Sequence, residues 1–214
     1  MEKSRLIDVI LQHGKTPPAR HIPDGTIFKR QGEQLEHIGI ILSGTIFAQT
    51  STKDGHSIWL EEFGPNQLIG MESIFSSTRL RYELIAKTNA KIAYYSKEEF
   101  LTLIQSHDEG LEIILKDISH RLIRNIDRIV EANTLTAKGR ICAELKRHSK
   151  PIGIEPDRFI IRPIPVFSEF ALRVGSTRES VSRTVSNLAK TGVILRRTGA
   201  LIISDMRKLE AYIK

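Results

Sequence analysis

The sequence is poor in the residues that disulfides and metal clusters need. It contains one cysteine, Cys142, so it cannot form an internal disulfide or supply the several thiolates of an iron–sulfur cluster or a zinc site. No iron–sulfur cofactor is therefore predicted, and a reducing compartment suits the chain.

Long apolar runs and catalytic patterns are also missing. No run approaches the roughly 18 to 20 residues that span a bilayer. The charged N-terminal segment, residues 1–15, has neither the long apolar core nor the small-residue cleavage site of an export signal. No HExxH, GxSxG, P-loop or complete GxGxxG pattern occurs, so no catalytic constellation can be named. We therefore expect a cytoplasmic protein that does not contact membranes and is not an enzyme.

Acidic residues are scarce in one part of the chain. Residues 1–134 contain 16 lysines and arginines and 18 acidic residues, whereas residues 135–214 contain 16 and only 7. The 214 residues suit two modest domains, and we predict their boundary at 134/135. A strongly basic domain attracts nucleic-acid phosphates. A generic solvated basic surface is the alternative.

Residues 22–96 contain short β-type runs separated by glycine turns. This pattern predicts an antiparallel β-sandwich or roll, because helices would need longer runs. Asp54 and Gly55 both tolerate the positive φ of a tight turn, so we expect a hairpin there.

A helical period follows the β-type runs. Steps of four and three, the a/d pattern of a coiled coil, join Leu111, Leu115, Ile118, Leu122, Asn125, Ile129, Ala132 and Thr136. The pattern predicts one long helix over about 108–134 and indicates a parallel homodimer, in which Asn125 pairs with its symmetry mate. Packing of this stripe on the β-roll of the same chain is the alternative. Flanking or solvent positions are expected for Lys116, Arg121, Arg124, Asp127 and Arg128.

Residues 168–192, "SEFALRVGSTRESVSRTVSNLAKTG", have helix-turn-helix spacing. The turn is expected at Gly175, and the second helix from Ser176 or Thr177. The free backbone N–H groups at that helix start can bind a phosphate. A buried stripe is expected at Val181, Val185 and Leu188.

The opposite face of this second helix is polar. It carries Arg178, Glu179, Ser182, Arg183 and Ser186. Arginine can donate two hydrogen bonds to guanine O6 and N7, and glutamate can accept one from cytosine N4, all in the major groove. Downstream, the runs around Thr198-Gly199 predict a hairpin with Arg197 at its tip, as in a DNA-contacting wing. Double-stranded DNA is the predicted partner.

These motifs resemble the catabolite-activator/FNR (CRP/FNR) family of transcription regulators. The segment "GSTRESVSR" followed by "LAKTGVI" is similar to the family's recognition segment. The glycine-punctuated β-roll, the heptad helix and the "GRI" opening of the second domain follow in the same order, so the resemblance covers essentially the whole chain. It implies an α+β fold: an N-terminal cyclic-nucleotide-binding-like β-roll, a dimerisation helix and a C-terminal winged helix-turn-helix.

The resemblance also implies a homodimer that reads a pseudo-palindromic operator through Arg178, Glu179 and Arg183, with Ser182 as a fourth reader. It implies a half-site with a GA step, and RNA polymerase as a partner if the chain is an activator. Val166 departs from the family, which usually has a capping Ser or Thr there. We therefore expect the first helix of the motif to begin later, with Ser168 as its cap.

The family's cyclic-AMP cassette is incomplete. Where the family has a glycine followed at once by glutamate, Gly70 is followed by Met71, and Glu72 comes one residue late. The phosphate-binding arginine falls on Arg81, or on Leu80 when counted back from the next strand. The candidate pocket residues are Gly70, Glu72, Arg81, Tyr82 and Asn125.

A cyclic phosphate needs fixed donors and acceptors, so these departures predict that cyclic AMP is not the effector. An altered small ligand and no ligand at all both stay open. A second class of function is also open: a cyclic-nucleotide-binding regulatory module that acts through a protein partner.

Overall fold

The computed structural model describes residues 17–51, 57–153 and 157–214. The chain divides into two compact units, Met1–Leu122 and Ile123–Lys214. Each has its own hydrophobic core, and the predicted α+β fold is confirmed. The expected Asp54-Gly55 hairpin lies outside the described residues. In the ranges given above, no helix combines the length and apolar character needed to cross a membrane.

The first unit is built on two four-stranded antiparallel sheets, ordered β1-β8-β3-β6 and β2-β7-β4-β5. The strands are β1 (Arg20–Ile22), β2 (Ile27–Lys29), β3 (His37–Ser43), β4 (Ile46–Ser51), β5 (Ser57–Phe63), β6 (Leu68–Ile69), β7 (Glu83–Ala86) and β8 (Ala90–Ser96). A short helix, α1 (Met71–Ser76), follows β6. This arrangement is the antiparallel roll that the glycine-punctuated runs predict.

Strand β3 shows why the core of the roll has two layers. Ile38 and Ile40 pack with residues of helix α2 (Lys97–Gln105), whereas Ile41 packs against the second sheet. The first sheet is therefore covered on both faces, and β3 reads as a continuous apolar run rather than an alternating one. Helix α2 begins at a capping box in which Ser96 and Glu99 each bond the other's backbone N–H.

Helix α3 (Gly110–Thr134) is the long helix expected at about 108–134. Its a/d residues within the described chain are not buried by the β-roll: the exposed fraction is 59% for Leu122 and 63% for Ile129. The alternative of packing on the same chain is therefore wrong for this stripe. Thr136 lies outside α3, because its hydroxyl caps the next helix by accepting from Gly139 N–H.

Arg121 and Arg128 of α3, for which flanking or solvent positions are expected, lie against carboxylates of their own chain rather than in solvent. Arg121 donates from Nε and Nη2 to the two carboxylate oxygens of Glu61, at 3.1 and 3.0 Å. Arg128 lies 3.9 Å from the carboxylate of Glu144, which is 1% exposed. These two arginines thus lie against carboxylates of their own chain, while the apolar a/d residues of α3 stay exposed.

The second unit follows α3. Its helices are α4 (Ala137–His148), α5 (Phe167–Arg173), α6 (Arg178–Lys190) and α7 (Met206–Glu210), and its strands are β9 (Lys150–Pro151), β10 (Phe159–Ile161), β11 (Ile194–Arg197) and β12 (Ala200–Ile203). The four strands form one antiparallel sheet in the order β11-β12-β10-β9. Cys142 is fully buried in the core of this unit beside Ile141 and Leu145.

Candidate nucleic-acid interface

The helix-turn-helix consists of α5, a turn at 174–177, and α6. Gly175 lies at the turn with φ +57°, a left-handed conformation that favours glycine. The hydroxyl of Thr177 accepts from Ser180 N–H at 3.2 Å and caps α6. The second helix is expected to begin at Ser176 or Thr177. In the structure Thr177 is its cap and Arg178 its first helical residue.

Helix α6 separates its residues as the sequence predicts. Val181, Val185 and Leu188 are buried in the core, and Thr184 joins them. On the polar side Arg178, Glu179, Arg183 and Thr177 are exposed, and Ser176, Ser182 and Ser186 are partly exposed. The proposed readers therefore have access to a ligand along one face of a helix that the core holds rigidly on the other.

The first helix begins earlier than expected. Helix α5 starts at Phe167, with Val166 as a cap residue that makes no side-chain bond, so the assignment of Ser168 as cap is wrong. The carbonyl of Val166 accepts from Phe170 N–H at 2.9 Å, which closes the first turn without a side-chain cap. The side chain of Val166 stays exposed in a shallow groove that Ile164, Phe167 and Arg178 also line.

Strands β11 and β12 form the predicted hairpin. Arg197 pairs with Ala200, so the turn is Thr198-Gly199, and Gly199 has φ +71°. Arg197 is exposed beside this turn. The neighbouring Arg196 donates from Nη2 to Ser186 Oγ of α6 at 3.0 Å. The sequence signals indicated a hairpin but not this bond, which depends on how the hairpin folds back on α6.

Arg140 supports the turn of the motif. Its guanidinium donates to the carbonyls of Leu135 and Val174, both at 2.9 Å, and to that of Gly175 at 3.4 Å. These carbonyls end α3 and α5, where backbone acceptors lack partners within the helix. One side chain therefore joins the end of the long helix to the turn that precedes α6.

Beyond the first two residues of α6, the charges of this helix and of the hairpin have one sign. Residues 180–204 contain Arg183, Lys190, Arg196 and Arg197 and no aspartate or glutamate. Glu179 and Asp205 are the acidic residues that border this segment on its two sides. A basic segment of this kind suits a polyanion.

The candidate effector residues differ in their surroundings. Gly70 has φ +88°, and a Cβ atom there would lie 2.9 Å from Leu35 Cδ1. Met71, which follows it, is 4% exposed and belongs to the core. Glu72 and Arg81 are exposed, and Tyr82 packs against the second-sheet core.

Two further positions bear on the effector. Leu80 is buried, so the alternative count from the next strand places a core residue where a phosphate ligand would be needed. Asn125 is exposed on α3, as are the apolar a/d residues around it.

Three carboxylates influence Arg121 of α3, and one of them belongs to the candidate effector residue Glu72. Burial alone would lower the pKa of Arg121, but its hydrogen bonds to Glu61 and the charges of Glu61, Glu72 and Asp117 raise it. The guanidinium also lies 5.0 Å from the centre of the Phe63 ring. Arg121 is therefore held by protein carboxylates, a setting that disfavours an anionic ligand.

Two family models match the chain. The cyclic nucleotide-binding domain matches residues 19–107, and the Crp-like helix-turn-helix domain matches residues 167–212. The first covers most of the β-roll and the second covers α5, α6 and the hairpin.

Full-length relatives and solved structures agree with these matches. A CRP-like cAMP-activated global transcriptional regulator of Mycobacterium tuberculosis is 23% identical over 188 residues, covering 87% of this chain and 84% of that protein. The anaerobic regulatory protein of Bacillus subtilis is 27% identical over 200 residues, covering 91% and 83%. A solved structure of a CooA mutant from Carboxydothermus hydrogenoformans has a TM-score of 0.82 at 15% identity, covering 99% and 96%. The last likeness concerns the fold alone.

Proposed function

The chain belongs to the CRP/FNR family of transcription regulators, and we propose that it acts as a homodimer on a pseudo-palindromic DNA operator. The observation that carries this proposal is helix α6, in which Arg178, Glu179 and Arg183 are exposed opposite a stripe that is fully buried in the core. It acts by binding, without catalysis, in the cytoplasm.

The residues of α6 divide into base readers and backbone contacts. Arg178 and Arg183 suit guanine, and Glu179 suits cytosine, in the major groove. Ser182 is the fourth candidate reader, and a half-site with a GA step follows. The backbone N–H groups near Ser176 and Thr177, together with Arg197 of the wing, are proposed to bind phosphates.

The dimer is proposed to form along α3. Its exposed apolar residues include Leu111, Leu115, Ile118, Leu122, Ile126 and Ile129. Such a stripe on one helix suits the seam of a parallel coiled coil, and a paired Asn125 would set its register. The boundary between the two domains is proposed at 134/135, where α3 ends. RNA polymerase is the further partner if the outcome is activation.

The effector is proposed not to be cyclic AMP. Met71 and Leu80 are core residues, and Arg121 is paired with Glu61 close to the charge of Glu72. A cyclic phosphate would therefore meet carboxylates, and a guanidinium that one of them already holds, rather than a fixed set of free donors. An altered small ligand, or regulation without a ligand, is consistent with this environment.

DNA binding at several salt concentrations tests the proposal. Fluorescence anisotropy with labelled random duplexes should give a Kd of roughly 10⁻⁶ to 10⁻⁴ M at physiological salt and tighter binding at lower salt. The logarithm of the association constant should fall linearly as the logarithm of the salt concentration rises. A regulatory module that acts only through a protein partner should give no such binding. Absence of DNA binding at 50 mM salt would therefore favour that second function.

A further inference from the structure

The two arginines of the wing differ in their surroundings. Side chains alternate along a strand, so Arg196 shares a face of β11 with the fully buried Ile194, whereas Arg197 shares the other face with Leu195. Ile194 packs in the same core as Val185 and Leu188 of α6. Arg196 is therefore on the side of the hairpin that faces the recognition helix, and Arg197 is on the opposite side.

A direct bond fixes Arg196 against α6. Its Nη2 donates to Ser186 Oγ at 3.0 Å. Ser186 is one helical turn beyond Ser182 and is partly exposed, so the guanidinium extends the polar face that carries the proposed readers. The structure thus brings a wing cation and a recognition-helix hydroxyl together, although they are ten residues apart in the chain.

The chemistry of this pair suits an anion. A guanidinium has five N–H donors, and a neutral hydroxyl that accepts from one of them leaves both its charge and its planar fork available. The hydroxyl of Ser186 can still donate its own hydrogen. Residues 180–204, which comprise α6 beyond its first two residues and the hairpin, contain no carboxylate. A phosphate, which a guanidinium can bind with two parallel bonds, matches this set of donors.

The position of Ser186 along α6 indicates which part of the DNA the pair would contact. Residues at the start of a recognition helix contact base edges, which here are Arg178, Glu179 and Arg183. Ser186 lies about two turns beyond Arg178 and therefore past the start of the helix, where base contacts are expected. We propose that Arg196 and Ser186 together bind a backbone phosphate that flanks the bases read by α6, and that Arg196 rather than Arg197 is the main phosphate-binding residue of the wing. This inference rests on the proposed function.

A matched pair of variants tests the assignment. Arg196→Gln and Arg197→Gln each remove one positive charge from the same exposed hairpin. A dimer has two copies of the phosphate site, so Arg196→Gln should lower the magnitude of the salt slope by about 1.8 and weaken binding at 0.1 M salt by roughly 10- to 60-fold. The loss should be the same for an operator selected by the native protein and for a scrambled duplex, because phosphates carry no sequence information.

Two further variants separate charge from geometry. Arg196→Lys keeps the charge, so it should preserve the salt slope and lose affinity only several-fold. Ser186→Ala also keeps the charge and should likewise preserve the slope while weakening binding several-fold, because the guanidinium loses its anchor. Circular dichroism melting curves that match the native protein would establish that each variant is folded.

Two outcomes would overturn the inference: a native salt slope in Arg196→Gln, or a larger loss of slope in Arg197→Gln than in Arg196→Gln. Failure of the proposed function gives a different result, since the native protein itself would then not bind DNA. A native protein that binds its operator through Arg178 but is insensitive to Arg196→Gln would refute the phosphate site alone.

Discussion

Replacement of two exposed residues of α3 should separate the dimer into monomers. Leu122 and Ile129 keep 59% and 63% of their surface exposed within the chain, and both are a/d positions. Complete burial of such side chains contributes about 1.5–3 kcal/mol each, so burial of the exposed part at a seam contributes roughly 1–2 kcal/mol. The double variant Leu122→Gln, Ile129→Gln changes two side chains in each subunit, so a dimer loses this contribution four times. The free energy of dimerisation should therefore fall by roughly 4–7 kcal/mol. The dissociation constant should rise by about three to five orders of magnitude.

Sedimentation velocity over a range of protein concentrations measures this change. Glutamine is a good helix former, so the helical circular dichroism signal should remain. Lys116→Gln is the matched control, because Lys116 lies on the same helix, outside the a/d stripe, in an exposed ion pair with Glu112. A double variant that stays dimeric at the same concentrations as the native protein would refute the seam and imply that another surface holds the dimer.

Three further outcomes follow from buried contacts. Arg140→Gln should lower the free energy of unfolding of the second unit by about 2–3 kcal/mol, because the carbonyls of Leu135 and Val174 lose their hydrogen-bond donor. Urea denaturation measures this change, and an unchanged midpoint would contradict it. Glu61→Gln should destabilise the first unit by about 1–3 kcal/mol in the same assay, because Arg121 loses its charged partner, and a stabilised variant would be the contrary result. Burial raises the pKa of Cys142 to about 11, so at pH 8 less of the thiol is in the reactive thiolate form. The native protein should therefore react with a thiol reagent roughly a hundredfold more slowly than the denatured chain. Equal rates would show that the thiol is accessible.

The elements that the sequence predicts well are those with local signals. The heptad of residues 111–132 is a property of one continuous segment, and α3 spans Gly110–Thr134. The helix-turn-helix likewise follows from Gly175, the Thr177 cap and the spacing of Val181 and Val185. In each case the information lies within a few turns of the chain, so periodicity and capping chemistry suffice.

The contacts that the sequence did not predict join distant segments. Arg121 and Glu61 are 60 residues apart and Arg140 and Val174 are 34 apart, so nothing in either segment alone marks its partner. A charged residue on an amphipathic helix is usually solvated, and that general expectation placed Arg121 and Arg128 in solvent. The supports of the recognition helix, Arg140 and Arg196, were missed for the same reason.

The capping error at Val166 has a different origin. A hydroxyl cap would favour Ser168, but the backbone carbonyl of Val166 already closes the first turn by accepting from Phe170 N–H. Cap preferences are worth only about 1 kcal/mol, so the packing of Phe170 in the core can determine where α5 begins.

The central claim is that α6 reads DNA bases through Arg178. Selection of bound sequences from a random pool, carried out in parallel with the native protein and with Arg178→Ala, tests this claim most directly. We expect the native protein to enrich a two-fold symmetric site with a GA step in each half. Arg178→Ala should retain salt-dependent DNA binding but lose about 1–3 kcal/mol of preference at one base pair in each half-site. The same enriched sequence with the same strength of preference in Arg178→Ala would contradict the account.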